Sequence, residues 1–105
     1  MHIVIWKYDV MEGKSQQDLL DSVKADAPDY RNIPDLIRMV YGIAPDLRSV
    51  VEVFLWRSKA AADKFFNREW DGETSRRWES AAMTRMDYEA PLVVESEQGR
   101  VVAET

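Results

Sequence analysis

The chain has 105 residues, the length of one domain, and its 19 acidic and 14 basic residues give a net charge of −5. This acidic balance, with no basic stripe, argues against nucleic acid and anionic membrane surfaces as partners. Because the chain contains no cysteine, disulfides, thiol nucleophiles and thiolate metal sites are excluded.

The first quarter of the chain predicts a strand and a helix. Residues 2–8 read as a β-strand. The apolar run that contains them is too short and too charged for a signal peptide or a transmembrane span, so we expect a cytoplasmic protein. Ser15 and Asp18 have the spacing of a capping box, which predicts a helix over residues 15–27.

Two apolar segments in the middle of the chain predict a hairpin. Residues 35–43 and 48–56 read as strands, and the turn-forming Pro45 and Asp46 between them predict an antiparallel pair. Ser58 then has the position of an N-cap for a second, alanine-rich helix.

The last third of the chain predicts a helical piece and a long final strand. Residues 70–81 have helical spacing, and residues 83–96 read as a strand. Within that strand Pro91 requires an edge position or a change of partner. We expect one domain over residues 1–96, followed by a loose, polar C-terminal tail over residues 97–105.

The order β-α-β-β-α-β predicts an α+β, ferredoxin-like fold, in which a four-stranded antiparallel sheet carries helices on one face. The strands are apolar on both faces, and no remaining segment covers the second face. We therefore expect a homodimer that packs sheet to sheet into a dimeric α+β barrel. The four Trp, four Tyr and three Phe residues exceed what so small a core needs, which also favours an oligomer.

Glu52 raises the question of function, because it interrupts the apolar strand VVEVFLW. Alternation along this strand suggests that Val51, Val53 and Leu55 face the helices. The open face is then expected to hold Val50, Glu52, Phe54, Trp56, Trp6 and Tyr8. If Arg38 shares the open face, it meets Glu52 across the hairpin.

Two orientations are open for the final strand. Either Arg85, Asp87 and Glu89 point into the cavity, or Met86 and Tyr88 do, and we favour the charged set. Tyr88 is nevertheless kept among the candidate substrate-binding residues. His2 is the only histidine and has no ligand cluster at a recognisable spacing, so we expect it at the rim and expect no metal site.

Several segments resemble a known family. The segments IPDLIRMVYG, VFLWRSKAAADKFF, REW and MDYEAPLVV are similar to the YdhR-type monooxygenases of the dimeric α+β barrel superfamily, alongside the antibiotic-biosynthesis monooxygenases. The resemblance extends to about Ser96. It departs from the family at Asp35, where the family usually has Gly, and at Met39, where Lys is common. The resemblance implies a dimeric barrel and reactions that include cofactor-free oxygenation, isomerisation and cyclisation.

These observations support two hypotheses about function. In the first, an enzyme without a cofactor acts on a planar hydroxyaromatic or polyketide-like molecule, with Glu52 as proton acceptor and Arg38 holding the resulting oxyanion. Monooxygenation is the favoured reaction, and isomerase, cyclase or dehydratase chemistry by proton transfer is the alternative. The candidate substrate-binding residues are Trp6, Tyr8, Phe54, Trp56 and Tyr88. In the second hypothesis, Arg38 and Glu52 form a structural ion pair, the tryptophans pack, and the dimer binds or scaffolds without turnover.

Overall fold

The structure, a computed structural model, describes residues 1–67, 70 and 82–103. Its elements are β1 (His2–Asp9), α1 (Gln16–Asp26), a 3₁₀ helix (Ala27–Tyr30), β2 (Leu36–Ile43), β3 (Ser49–Trp56), α2 (Lys59–Phe65), β4 (Met83–Glu89), β5 (Leu92–Glu95) and β6 (Arg100–Ala103). Most of the predicted third helical piece lies outside the described residues. Neither α1 nor α2 is long and apolar enough to cross a membrane.

The main sheet has four strands in the order β2-β3-β1-β4, and every neighbouring pair is antiparallel. Together with α1 and α2 this is the predicted ferredoxin-like α+β arrangement. The turn between β2 and β3 forms as expected, because the Asp46 side chain accepts a hydrogen bond of 3.0 Å from the Arg48 backbone N–H.

Both helices begin at the predicted caps. The Ser15 hydroxyl accepts a hydrogen bond from the Asp18 backbone N–H, and the Asp18 carboxylate accepts one from the Ser15 N–H, so the capping box is complete. The Ser58 hydroxyl accepts a hydrogen bond of 3.1 Å from the Ala61 N–H at the start of α2.

The chain changes its strand partner at Pro91, as predicted. The Ala90 N–H donates to the carbonyl of Met1 at 2.9 Å, which closes the end of β4 on β1. Beyond Pro91 the chain leaves this sheet, and β5 pairs with β6 in a separate two-stranded hairpin. The expectation of a loose tail is wrong for Arg100–Ala103, because the valines of this segment pair with β5.

The core lies between the helices and one face of the sheet, and the predicted sides of β3 are inverted. Residues 50, 52, 54 and 56 are all 0% exposed beneath the helices. Val53 and Leu55 line a recess on the opposite, open face, with no helix residue among its walls. The residues on both faces of β3 are mainly apolar. Alternation therefore assigns the residues to two faces but does not show which face the helices cover. The set with Phe54 and Trp56 supplies the larger volume that fills the layer under the helices.

Candidate functional site

A buried polar cluster lies in the middle of the helix-covered face. Glu52 stands opposite Trp6 on β1 and opposite Tyr41 on β2. Tyr8 and Glu52 are 0% exposed, and the two side chains interact electrostatically. The Tyr41 hydroxyl donates to the carboxylate of Asp26, which is 1% exposed at the end of α1. We call Tyr8, Tyr41, Asp26 and Glu52 the buried polar cluster.

The electrostatics of this cluster assign its donors and acceptors. Burial raises the pKa of Tyr8 well above its ordinary value, and the interaction with Glu52 raises it further. Burial, followed by the charge of Glu52, also raises the pKa of Tyr41. Both phenols therefore keep their protons at physiological pH and act as hydrogen-bond donors.

An aromatic cavity opens at the end of β3. Its volume is about 420 Å³, within the range of small-molecule sites. Trp56, Phe65 and Trp70 form aromatic walls, and the polar lining consists of Asp35, Lys64 and Asn67. The Asn67 side-chain oxygen accepts a hydrogen bond of 2.9 Å from the backbone N–H of Trp70. The cavity thus combines flat apolar walls with a few placed polar groups.

A continuous aromatic layer joins the cavity to the buried polar cluster. The rings of Trp56 and Phe54 stack with centroids 6.1 Å apart and an interplanar angle of 20°. Phe54 also contacts Phe66 edge-on at 4.9 Å, and Trp6 lies 5.0 Å from Trp70. Within the described residues, the indole nitrogens of Trp6 and Trp56 are buried and make no hydrogen bond. One face of β3 carries Trp56, Phe54 and Glu52 in succession. The cavity lies at Trp56, and the buried polar cluster lies at Glu52.

A charged network borders the same face along β4. The Arg85 guanidinium holds both oxygens of Asp87, at 2.7 and 2.8 Å, and also contacts Asp63 on α2 at 2.7 Å. His2 Nε2 lies 2.7 Å from Asp87. Hydrogen bonds from Arg85, with a smaller one from His2, hold the pKa of Asp87 below its usual value. His2 is only 5% exposed, so its expected rim position is wrong.

The orientation of β4 agrees with the favoured prediction only in part, because Met86 and Tyr88 stand on the open face that was expected to line the cavity. Arg85 stands opposite Trp6, and Asp87 stands opposite Val4, so the charged set shares the helix-covered face. Among the described residues, no cluster of three or more His, Cys, Asp or Glu side chains is placed to hold a metal ion.

The structure brings together most of the candidate site residues but separates two of them. Trp6, Tyr8, Glu52, Phe54 and Trp56 share one face, as predicted, although the helices cover that face. Arg38 stands opposite Leu55 on the open face, so its expected contact with Glu52 is wrong. Tyr88 stands opposite Ile3 on the open face and is 55% exposed. The cavity opens beside Trp56, not beside Arg38 and Glu52.

Several residues of the site escaped the sequence analysis. A β-bulge between Leu36 and Arg38 changes the alternation at the start of β2, so that Leu36 and Tyr41 lie on the same side. Tyr41 was consequently not linked with Glu52. The sequence carries only a weak indication that Asp26 has a special role. It is an acidic residue in the last turn of a helix, where the helix dipole disfavours negative charge.

The fold is shared with solved structures of oxygenases. No protein-family model and no curated protein matches the chain. A monooxygenase from the ActVA-Orf6 gene of Streptomyces coelicolor, in complex with nanaomycin D, superposes with a TM-score of 0.65 at 14% identity, over 85% of this chain and 86% of that chain. SnoaB, a cofactor-independent oxygenase from Streptomyces nogalater, gives a TM-score of 0.65 at 10% identity, over 90% and 96%. An antibiotic biosynthesis monooxygenase gives 0.64 at 15% identity, over 86% and 98%.

The fold is that of the antibiotic biosynthesis monooxygenase-like proteins. At these identities the likeness establishes the fold and leaves the reaction open. The narrower resemblance to the YdhR type stays a prediction.

Proposed function

We propose that the chain is a cofactor-independent monooxygenase acting on a planar hydroxyaromatic or polyketide-like molecule. The aromatic cavity carries the proposal, because Phe65 lines it together with the largely buried rings of Trp56 and Trp70, and an aromatic lining suits a flat ring. Its volume of about 420 Å³ suits a small molecule. The fold is that of a cofactor-independent oxygenase and of a monooxygenase solved with nanaomycin D, which supports this class of ligand.

In this proposal Glu52 accepts the proton of a substrate hydroxyl. Glu52 lies behind the cavity on the same face of β3 as Trp56, and because neither Phe54 nor Glu52 lines the cavity, a substrate reaches Glu52 only when the aromatic layer opens at Phe54. Tyr8, which interacts with Glu52 electrostatically and keeps its proton, is the side chain that would orient this carboxylate. Lys64 lines the cavity and takes over from Arg38 the role of stabilising the anion, by holding a second oxygen of the substrate over which the negative charge is delocalised.

The proposed reaction needs no reductant besides the substrate. The deprotonated ring donates electrons to O₂, and a C–O bond forms at a ring carbon that bears hydrogen. Loss of water from the resulting hydroperoxide leaves a quinone carbonyl, so one oxygen atom enters the product and the other leaves as water. The aromatic layer around Trp6 and Phe54 keeps bulk water from the reacting ring.

We also propose that the working unit is a homodimer. The open face of the main sheet carries exposed apolar side chains, including Val40 at 48% and Met86 at 38%. The β5–β6 hairpin adds Val94 and Val101, which pair with each other and are 64% and 65% exposed. A second copy that packs on both surfaces would remove them from water.

Filling the cavity tests the proposed ligand site. Ala61 lines the cavity, whereas Ala60 is exposed on the same helix, so Ala61→Leu and Ala60→Leu form a matched pair. We expect hydroxyaromatics to quench the fluorescence of Trp56 and Trp70 saturably in the parent and in Ala60→Leu, and to bind much more weakly to Ala61→Leu. Equal binding by the two variants, or no binding in a broad panel, would contradict the proposal.

The same panel separates the alternatives. Turnover without oxygen consumption would assign the site to an isomerase, cyclase or dehydratase that works by proton transfer. Binding without turnover of any ligand would favour a ligand-binding scaffold.

A further inference from the structure

A second groove lies on the other side of the segment that leads into β2. It has a volume of about 280 Å³ and runs between the 3₁₀ helix and β2. Arg31 and Arg38 line it, together with the rings of Tyr30 and Tyr41 and the side chain of Met39. It shares no lining residue with the aromatic cavity described above.

The charge in this groove is unusual for so acidic a chain. The net charge is −5, yet two arginines line one groove of about 280 Å³. Both are exposed, and neither forms an ion pair with any described residue. The carboxylate of Asp26 behind the groove already accepts the hydrogen bond of Tyr41. The carboxylates of Asp26 and Asp29 act on Tyr41 of the groove, but neither pairs with these arginines, so both guanidinium groups keep their hydrogen-bond donors for a ligand.

The local backbone explains how Arg38 comes to lie in the groove. The β-bulge between Leu36 and Arg38 breaks the alternation at the outer edge of the sheet, and bulges of this kind re-aim side chains. Arg38 lines both this groove and the recess on the open face, so its side chain lies where the two meet.

We propose that this groove binds an organic anion, a carboxylate attached to an aryl or alkyl body. Arg31 and Arg38 hold the carboxylate oxygens through charge-assisted hydrogen bonds, and the apolar body lies against Tyr30, Met39 and Tyr41. This site is separate from the proposed catalytic cavity and does not depend on the reaction proposed there. Since Tyr41 also stands opposite Glu52, an occupied groove contacts the buried polar cluster through one side chain.

The test is a titration of the full chain, carrying ¹³C-methyl methionine, with sodium benzoate at constant ionic strength. We expect the Met39 methyl signal to shift saturably. The methyl groups of Met11 and Met86, which are 54% and 38% exposed and lie outside the groove, should not follow it. Benzamide, which has the same ring without the charge, should leave the Met39 signal in place.

Variants decide which side chains hold the anion. The double substitution Arg31→Gln with Arg38→Gln should weaken benzoate binding about tenfold or more, since hydrogen bonds to charged groups are each worth about 1.5–3 kcal/mol. Arg48→Gln, at an exposed arginine in the β2–β3 turn, should bind as the parent does. Because both groove arginines are exposed, the double variant should keep the methyl spectrum of the folded chain. The proposal is overturned if benzoate does not shift Met39, if benzamide shifts it equally, or if the double variant binds benzoate as tightly as the parent.

Discussion

Glu52 is buried because β3 turns it towards the helices, between Trp6 and Tyr41 of the neighbouring strands. A carboxylate in such a place is costly unless hydrogen bonds replace its water shell. The phenol of Tyr8 keeps its proton and interacts with Glu52, so it is a donor available to this carboxylate, and both side chains are 0% exposed, where such an interaction is strong. We therefore expect the stability of the fold to depend on this pair.

A double-mutant cycle measures that dependence. Tyr8→Phe and Glu52→Gln should each lower the free energy of unfolding, and their effects should fail to add by about 1.5–3 kcal/mol, the usual worth of a hydrogen bond to a charged group. Urea unfolding of the parent, both single variants and the double variant gives the coupling. Tyr88→Phe, at a tyrosine that is 55% exposed, is the matched control and should change little. Additive effects within error would show that the two side chains do not interact.

Asp87 predicts a dependence of stability on pH. Arg85 and His2 lower the pKa of Asp87 in the folded chain, so its ion pair stabilises the fold above the ordinary carboxyl pKa of about 3.9. That stabilisation is lost as the pH falls through the lower, folded value. Asp87→Asn should therefore be less stable than the parent at neutral pH and should lose less stability on acidification.

Thermal unfolding between neutral pH and pH about 3 checks this. Asp9→Asn, at an exposed position in the last residue of β1, serves as the control and should keep the parent's slope. Identical slopes in the parent and Asp87→Asn would mean that the ion pair with Arg85 does not stabilise the fold.

At the scale of elements, the approach to β2 contains a strained residue. Asp35 has a φ of 67°, and its carbonyl accepts a hydrogen bond of 2.9 Å from the Arg57 N–H, which fixes this conformation. The left-handed region costs residues with a Cβ about 1–2 kcal/mol and costs glycine little. The glycine usual at this position in the resembling family therefore has a physical reason.

Two substitutions of Asp35 should differ in the free energy of unfolding. Asp35→Gly should be more stable than Asp35→Ala by about 1 kcal/mol. At Lys7, an exposed residue in the interior of β1, the same pair should rank in the reverse order, because glycine weakens strand interiors. Chemical unfolding of the four variants tests the comparison, and an alanine variant at position 35 as stable as the glycine variant would refute the strain.

The elements were predictable from the sequence because their signals are local. The capping box at Ser15, the turn at Asp46 and the break at Pro91 each depend on residues close in the chain, and each forms as expected. The sequence did not show which side of β3 the helices cover, because Val51 and Val53 are as apolar as most residues on the opposite face of the strand. Only the packing of α1 and α2, which is a long-range property, selects the side.

The candidate site was predictable as a set but not as a geometry. Alternation correctly placed Trp6, Tyr8 and Glu52 on one face, since a side chain's face follows from its position in the strand. The partner predicted for Glu52 failed because β3 was assigned to the wrong side of the sheet relative to Arg38. The bulge before Arg38 adds a second change of alternation, for which the sequence carries no distinct signal.

At the scale of the whole molecule, two apolar surfaces lack a cover within the described chain. One is the open face of the main sheet, and the other is the outer side of the β5–β6 hairpin. The radius of gyration is 14.6 Å, above the value of about 13 Å typical of a compact domain of this length. Leu92 and Val93 of the hairpin border the recess on the open face, so a second copy that covers this face would also contact the hairpin.

The proposed homodimer predicts that a charge placed in the interface separates the two copies. The parent should be a dimer in light scattering at micromolar concentration, with an interface of about 2,000 Å² or more. Val53→Asp, in the middle of the open face, should give a folded monomer, while Ala25→Asp, at an exposed position of α1, should remain a dimer. A monomeric parent, or a dimer that tolerates Val53→Asp, would contradict this assembly.

The most direct test of the proposed function is the fate of molecular oxygen. Chelator-treated protein is supplied with ¹⁸O₂ and with the hydroxyaromatic that best quenches the fluorescence of the cavity tryptophans. The mass of the product is measured by mass spectrometry. We expect one ¹⁸O atom per product molecule, with matching oxygen uptake, and a rate lowered about 100-fold or more in Glu52→Gln. A product that carries no ¹⁸O, formed without oxygen uptake, would contradict the assignment as a monooxygenase.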